Sequence, residues 1–96
     1  MSLLLVVSHS KSAPAFKGLA GACCRNQIEF SCFFTGEGVT VLGDREIEVL
    51  VEKAQRAVVC EHSWEIYTVG ESSPVETGSQ TDHSAMIGSA RQVVSL

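Results

Sequence analysis

A chain of 96 residues has room for one domain and not two, taken here as 1–96, and a body that small buries only about 60–65% of its unfolded surface. Its net charge is −4, and its basic residues, Lys11, Lys17, Arg25, Arg45, Lys53, Arg56 and Arg91, form no stripe, which argues against nucleic acid and against an anionic membrane as partners. Hydrophobic residues make up 45% and the mean hydropathy is +0.18, more apolar material than so small a body hides alone, so self-association is expected.

The opening Met1-Ser2-Leu3-Leu4-Leu5-Val6-Val7-Ser8 has no positive n-region, and its apolar run of five residues is too short for a signal-peptide core. It predicts a buried strand over Leu3–Ser8, apolar on both faces as in a parallel sheet. No apolar stretch approaches the roughly 18 residues of a membrane span, so a soluble, cytoplasmic protein is expected.

Ser10-Lys11-Ser12 reads as a polar turn. Pro14 suits the first turn of a helix with Ser12 or Ala13 near its cap, and Phe16, Leu19, Ala20 and Cys23 recur at helical spacing. Arg25-Asn26-Gln27 closes that helix, and Ile28–Phe34 predicts a second strand with Ile28, Phe30, Cys32 and Phe34 on one face. Thr35-Gly36-Glu37-Gly38 is a turn. Asp44 is a good N-cap for a helix over Arg45–Ala57, whose apolar stripe is Ile47, Leu50, Val51, Ala54 and Val58 and whose wet side offers a Glu52–Arg56 pair.

Val58-Val59-Cys60 predicts a short third strand. Glu61–Val69 reads equally as a helical turn or an extended piece, and Gly70–Gln80, rich in Ser, Gly, Glu and Pro74, as a loop. Asp82 caps a short helix running through Ala90, and Gln92–Leu96 is a last strand. Alternating strands and helices imply an α/β fold, a small three-layer αβα domain on a mainly parallel sheet. Chemistry in such sheets sits at the carboxyl ends of the strands, which points to Ser8–Ser12, Thr35–Gly38 and Cys60–Trp64.

Cys60 is the leading candidate. If a helical turn follows it, unpaired backbone N–H groups favour its thiolate, with protonated His62 assisting and Glu61 opposing. The plainer reading is a small buried hydrophobe, and that reading is the better one for Cys23, Cys24 and Cys32. No C-x-x-C pair occurs among the four cysteines, so reduced thiols are expected. Ser8-His9-Ser10-Lys11-Ser12 precedes a helix as a phosphate loop would, but it lacks glycine and reads as a solvated turn. His9, His62 and His83 share no ligand spacing; no metal and no cofactor is expected.

Taken in order, four features resemble the DsrE/DsrF-like family of sulfur-relay proteins, which includes the Tus proteins. These are the hydrophobic first strand; Phe33-Phe34-Thr35-Gly36-Glu37-Gly38-Val39, similar to the family's FFTGDGV segment; Cys60 at the end of strand three with Ser63 three residues on; and the closing Ala90-Arg91-Gln92-Val93-Val94-Ser95-Leu96. The run Glu61-His62-Ser63-Trp64-Glu65 departs from the small residues and Arg-Gly pair that often follow the family's cysteine. The resemblance implies a DsrE/F-like fold, a homo-oligomer (trimer or hexamer) or a hetero-oligomer with related subunits, and partners that donate and accept sulfur. It implies a sulfurtransferase-like carrier holding sulfane sulfur as a persulfide on Cys60, the one residue to which the family's role carries over; Ser63, His62 and His9 are expected beside it as supporting residues. The alternative is a non-catalytic structural or small-ligand-binding subunit on the same fold.

Overall fold

The structure is a computed structural model and describes residues 3–96. The reading of the first residues as strand rather than signal peptide therefore rests, at Met1 and Ser2, outside the described residues. The strands are β1 (Leu3–Val7), β2 (Phe30–Phe34), β3 (Arg56–Cys60), β4 (Glu76–Gly78) and β5 (Gln92–Ser95), and the helices are α1 (Ala13–Arg25), α2 (Arg45–Glu52), α3 (Glu61–Tyr67) and α4 (Gln80–Ser89). Stretches of 3-10 turn cover Ser10–Ser12 and Gly36–Gly43. All five strands are parallel, in the order β4-β3-β2-β1-β5. The α/β expectation is met.

The two faces of the sheet follow from strand alternation. Leu5, Val7, Phe30, Cys32, Phe34 and Val59 point to one face, where Phe16, Ala20 and Cys23 of α1 and Ile47 and Val51 of α2 cover them. Leu4, Val6, Phe33, Val58 and Cys60 point to the other, where Met86 of α4 and Ala90 close a smaller core. Each fully buried Phe or Leu here contributes about 1.5–3 kcal/mol. Lys17 Nζ reaches Asp44 Oδ2 at 2.7 Å and ties α1 to the start of α2.

Order and faces together locate a crevice. From β1 the chain steps to β2, β3 and β4 in one direction, and right-handed crossovers then put α1 and α2 on one face. After β4 the chain returns across the sheet to β5, and α4 lies on the opposite face. Trp64 of α3 packs with the first core. The connections leaving β3 and β4 thus diverge to opposite faces, and a crevice opens between the carboxyl ends of these two strands.

Several expected boundaries move, and β2 begins at Phe30, which leaves Ile28 outside the strand and exposed. The helix expected over Arg45–Ala57 ends at Glu52: Lys53 and Ala54 turn back onto Leu50 and Val51, and Gln55 N–H bonds to Phe30 O at 2.7 Å, entering the sheet. β3, expected from Val58, begins at Arg56, which pairs with Glu76 of β4 rather than with Glu52. The β-branched pair Val58-Val59 favours a strand over the extra helical turn that the apolar spacing allowed. The expected loop Gly70–Gln80 contains β4, a three-residue edge strand in register with β3 from Val58↔Glu76 to Cys60↔Gly78. Finally, Ser79 caps α4, with Asp82 at the third helical position completing a capping box.

Two glycines permit close approaches. A Cβ on Gly38 would lie 2.3 Å from Val7 O, and one on Gly78 2.7 Å from Val58 Cγ1. Gly38 meets backbone that cannot swing aside. Gly38→Ala is expected to lower stability by about 1–3 kcal/mol or more in urea unfolding, whereas Gly43→Ala, with nothing within 4 Å, should change it far less.

Candidate functional site

Cys60 is the last residue of β3 and the N-cap of α3. It is 6% exposed and forms part of the wall of an open cleft of about 330 Å³. The cleft is lined from β3 and α3 by Cys60, Glu61, His62 and Glu65, and from the end of β4 and the start of α4 by Gly78, Ser79 and Gln80. This is the crevice the topology opens.

Several donors converge on the sulfur. Gln80 Nε2 donates to Cys60 Sγ at 3.6 Å. Ser63, in the first turn of α3, offers both its hydroxyl and its backbone N–H, and His62 its backbone N–H. Ser63 is itself buried, and its Oγ accepts from Gly36 N–H at 2.9 Å, so the turn after β2 holds the hydroxyl in place. Burial pushes the Cys60 thiol up, but the Ser63 hydroxyl, the Ser63 N–H, the Gln80 amide and the His62 N–H together outweigh it, and the thiol sits below its ordinary value.

The other cysteines differ. Burial pushes Cys32 up to about 12. Burial and the neighbouring Cys24 push Cys23 up as well. Cys24 is the most exposed of the four, all of which are free thiols.

The expected supporting residues separate. Ser63 is at the sulfur. His62 helps through its backbone N–H, and its side chain is exposed along the cleft. His9 lies in the exposed segment after β1, with β2 between that strand and β3, and does not join Cys60. The Ser8–Ser12 segment spends its donors within the chain: Ser8 Oγ on Leu96 O at 3.2 Å, and Ser10 N–H and Oγ each at 3.3 Å from Glu37 Oε1. A carboxylate therefore stands where a phosphate would.

Gln80 is the residue that sequence reasoning missed, because it fell inside the expected loop. The Ser79-x-x-Asp82 spacing was the usable signal: read as a capping box, it starts α4 at Gln80, directly after a strand end. Beyond Gln80, His83 Nδ1 lies 3.2 Å from Gln80 Oε1, and the His83 ring stacks on Phe33 with centroids 4.3 Å apart and planes at 7°.

Among the described residues no three His, Cys, Asp or Glu side chains gather as a metal site requires, and no helix is long and apolar enough to cross a membrane. Compared with protein-family models, with curated proteins and with solved structures, the chain gives no match.

Proposed function

We propose that the protein is a sulfur carrier of the DsrE/DsrF-like kind, which takes up sulfane sulfur as a persulfide on Cys60 and passes it to an acceptor. The observation that supports this reading is the convergence of Ser63, His62 N–H and Gln80 on one thiol in the crevice between β3 and β4. The thiolate attacks the outer sulfur of a donor persulfide. One S–S bond forms on Cys60, the donor's S–S bond breaks, and the donor leaves as a thiolate, with no net oxidation. The donors that favour the thiolate also suit the anionic inner sulfur as the cargo departs.

Glu61 and Glu65 line the cleft and no Lys or Arg does, which favours a donor or acceptor protein with a basic face over a free anion. A reducing cytoplasm suits four free thiols. Ile66, Tyr67 and Val69 are exposed at the end of α3, and such apolar surface supports an oligomer, either a homotrimer or homohexamer or an assembly with related subunits. Light scattering at tens of micromolar is expected to give a mass at least three times that of the 10.3 kDa chain, and a monomer would count against assembly by this chain alone.

The second reading, a non-catalytic structural or small-ligand-binding subunit, is favoured by one observation, the 6% exposure of Cys60. Sulfur release separates the two. Protein loaded with polysulfide, freed of excess reagent and given cyanide should yield about one thiocyanate per chain, and Cys60→Ser none. Equal yields from both proteins would leave the structural reading standing.

A further inference from the structure

We propose that His83 is a positioning residue for Cys60: acting through Gln80, its ring fixes which end of the Gln80 amide faces the sulfur. The inference rests on the carrier reading for its purpose, but its geometry stands apart from any sulfur transfer. A glutamine amide is nearly symmetric in shape and opposite in chemistry at its two ends. With NH₂ toward Cys60 it donates to a thiolate; turned over, it sets a carbonyl oxygen against the same negative charge. Nothing in Cys60 selects the useful end when the sulfur is a neutral thiol.

His83 supplies the selection. Its Nδ1 is 3.2 Å from Gln80 Oε1, while Gln80 Nε2 is 3.6 Å from Cys60 Sγ. With Nε2 toward the sulfur, Oε1 accepts from His83 in its Nδ1–H tautomer, and in that tautomer a flipped amide would set its NH₂ against the ring N–H. The ring is held from behind by Phe33, stacked at 4.3 Å. Phe33 is fully buried in the same core cluster as Cys60, so ring, amide and sulfur are referred to one rigid surface. His83 Nε2 is buried and has no hydrogen-bond partner among the described residues, so none of them competes with Gln80 for the ring. Glu61, His62 and Glu65 of α3 and Asp82 of α4 are the other titratable side chains beside the cleft and the amide, and the variants below leave them in place.

The test is the pH profile of Cys60 alkylation by iodoacetamide, read by peptide mass spectrometry on the full-length protein. At pH 7, His83→Ala is expected to slow Cys60 about three- to tenfold and move the inflection of the profile upward. His83→Asn, whose Nδ2 takes the place of Nδ1, should restore most of the rate. Gln80→Ala should slow it as much, and His83→Ala added to Gln80→Ala should do nothing more, because the histidine acts through the amide. At alkaline pH, where all variants are thiolates, the rates should converge. A His83 effect that persists in the Gln80→Ala background, or at alkaline pH, overturns the proposal, since it reports packing. So does an unchanged profile in Gln80→Ala, an exposed position that keeps its fold even if His83→Ala does not. If these profiles behave as expected while Cys60 takes up no sulfur, the carrier reading fails and the positioning role survives.

Discussion

With limiting iodoacetamide at pH 7, Cys60 is expected to be alkylated before Cys23, Cys24 and Cys32, and the fast phase should vanish in Cys60→Ser. The thiolate is the reacting species, so rates follow ionisation and access together. Cys32, with its thiol pushed up to about 12 by burial, holds about one thiolate in 10⁵ at this pH and should be silent in the folded protein. Cys23 is buried and shifted the same way. Cys60 is as buried as Cys23, but it lines an open cleft and its donors favour the anion. Cys24 is the informative competitor because it is more exposed. If Cys24 leads at pH 7, access outweighs the hydrogen bonds at Cys60 and the site as described does not activate its thiol.

The same shift has a sign in stability. The folded-state value of Cys60 lies below that of the free thiol, so the group stabilises the fold above the unfolded-state value and loses that contribution as pH falls through the folded one. Wild type and Cys60→Ser should therefore diverge in urea unfolding as pH is raised, with the wild type gaining.

The largest expected loss of stability is from Phe34→Ala. Phe34 is fully buried in the central strand β2, and its ring meets Phe16 of α1 at 5.5 Å and 56°. Truncation removes the transfer free energy of the ring and leaves a cavity between strand and helix, a cost of about 3–5 kcal/mol. Against a total of about 5–15 kcal/mol for a small domain, that is enough to unfold a marginal one. Urea denaturation should show a midpoint lower by about 1 M or more. Val93→Ala on the edge strand β5, where the side chain is half exposed, should stay within about 0.5 kcal/mol. Comparable losses at the two positions would mean that β5 is buried by a partner in solution.

These two positions mark what was legible in the chain itself. Phe34 alternates with Phe30 and Cys32, and that period of two predicted both the strand and its buried face. The placement of Cys60 at a strand end followed from Val58-Val59-Cys60 and the polar run after it. The overrun of α2 came from Ala54 and Ala57, which continue the helical spacing; the capture of Gln55 by Phe30 O turns the chain into the sheet between them. β4 was hidden because three residues, Glu76-Thr77-Gly78, carry no apolar alternation, and their place in the sheet comes from pairing with β3. With β4 unseen, the divergence of connections at β3 and β4 was unseen too, and so were Gln80 and His83. Local pattern located the thiol, and only long-range pairing located what surrounds it.

The most direct measurement is the site-mapped mass of the protein after brief exposure to inorganic polysulfide, with free thiols then blocked by an alkylating agent. The expected result is a gain of about 32 Da, one sulfur atom, on the peptide that carries Cys60, removed by dithiothreitol and absent from Cys60→Ser. No gain, a gain confined to Cys24, or an equal gain by Cys60→Ser would contradict the assignment of Cys60 as the sulfur-carrying thiol.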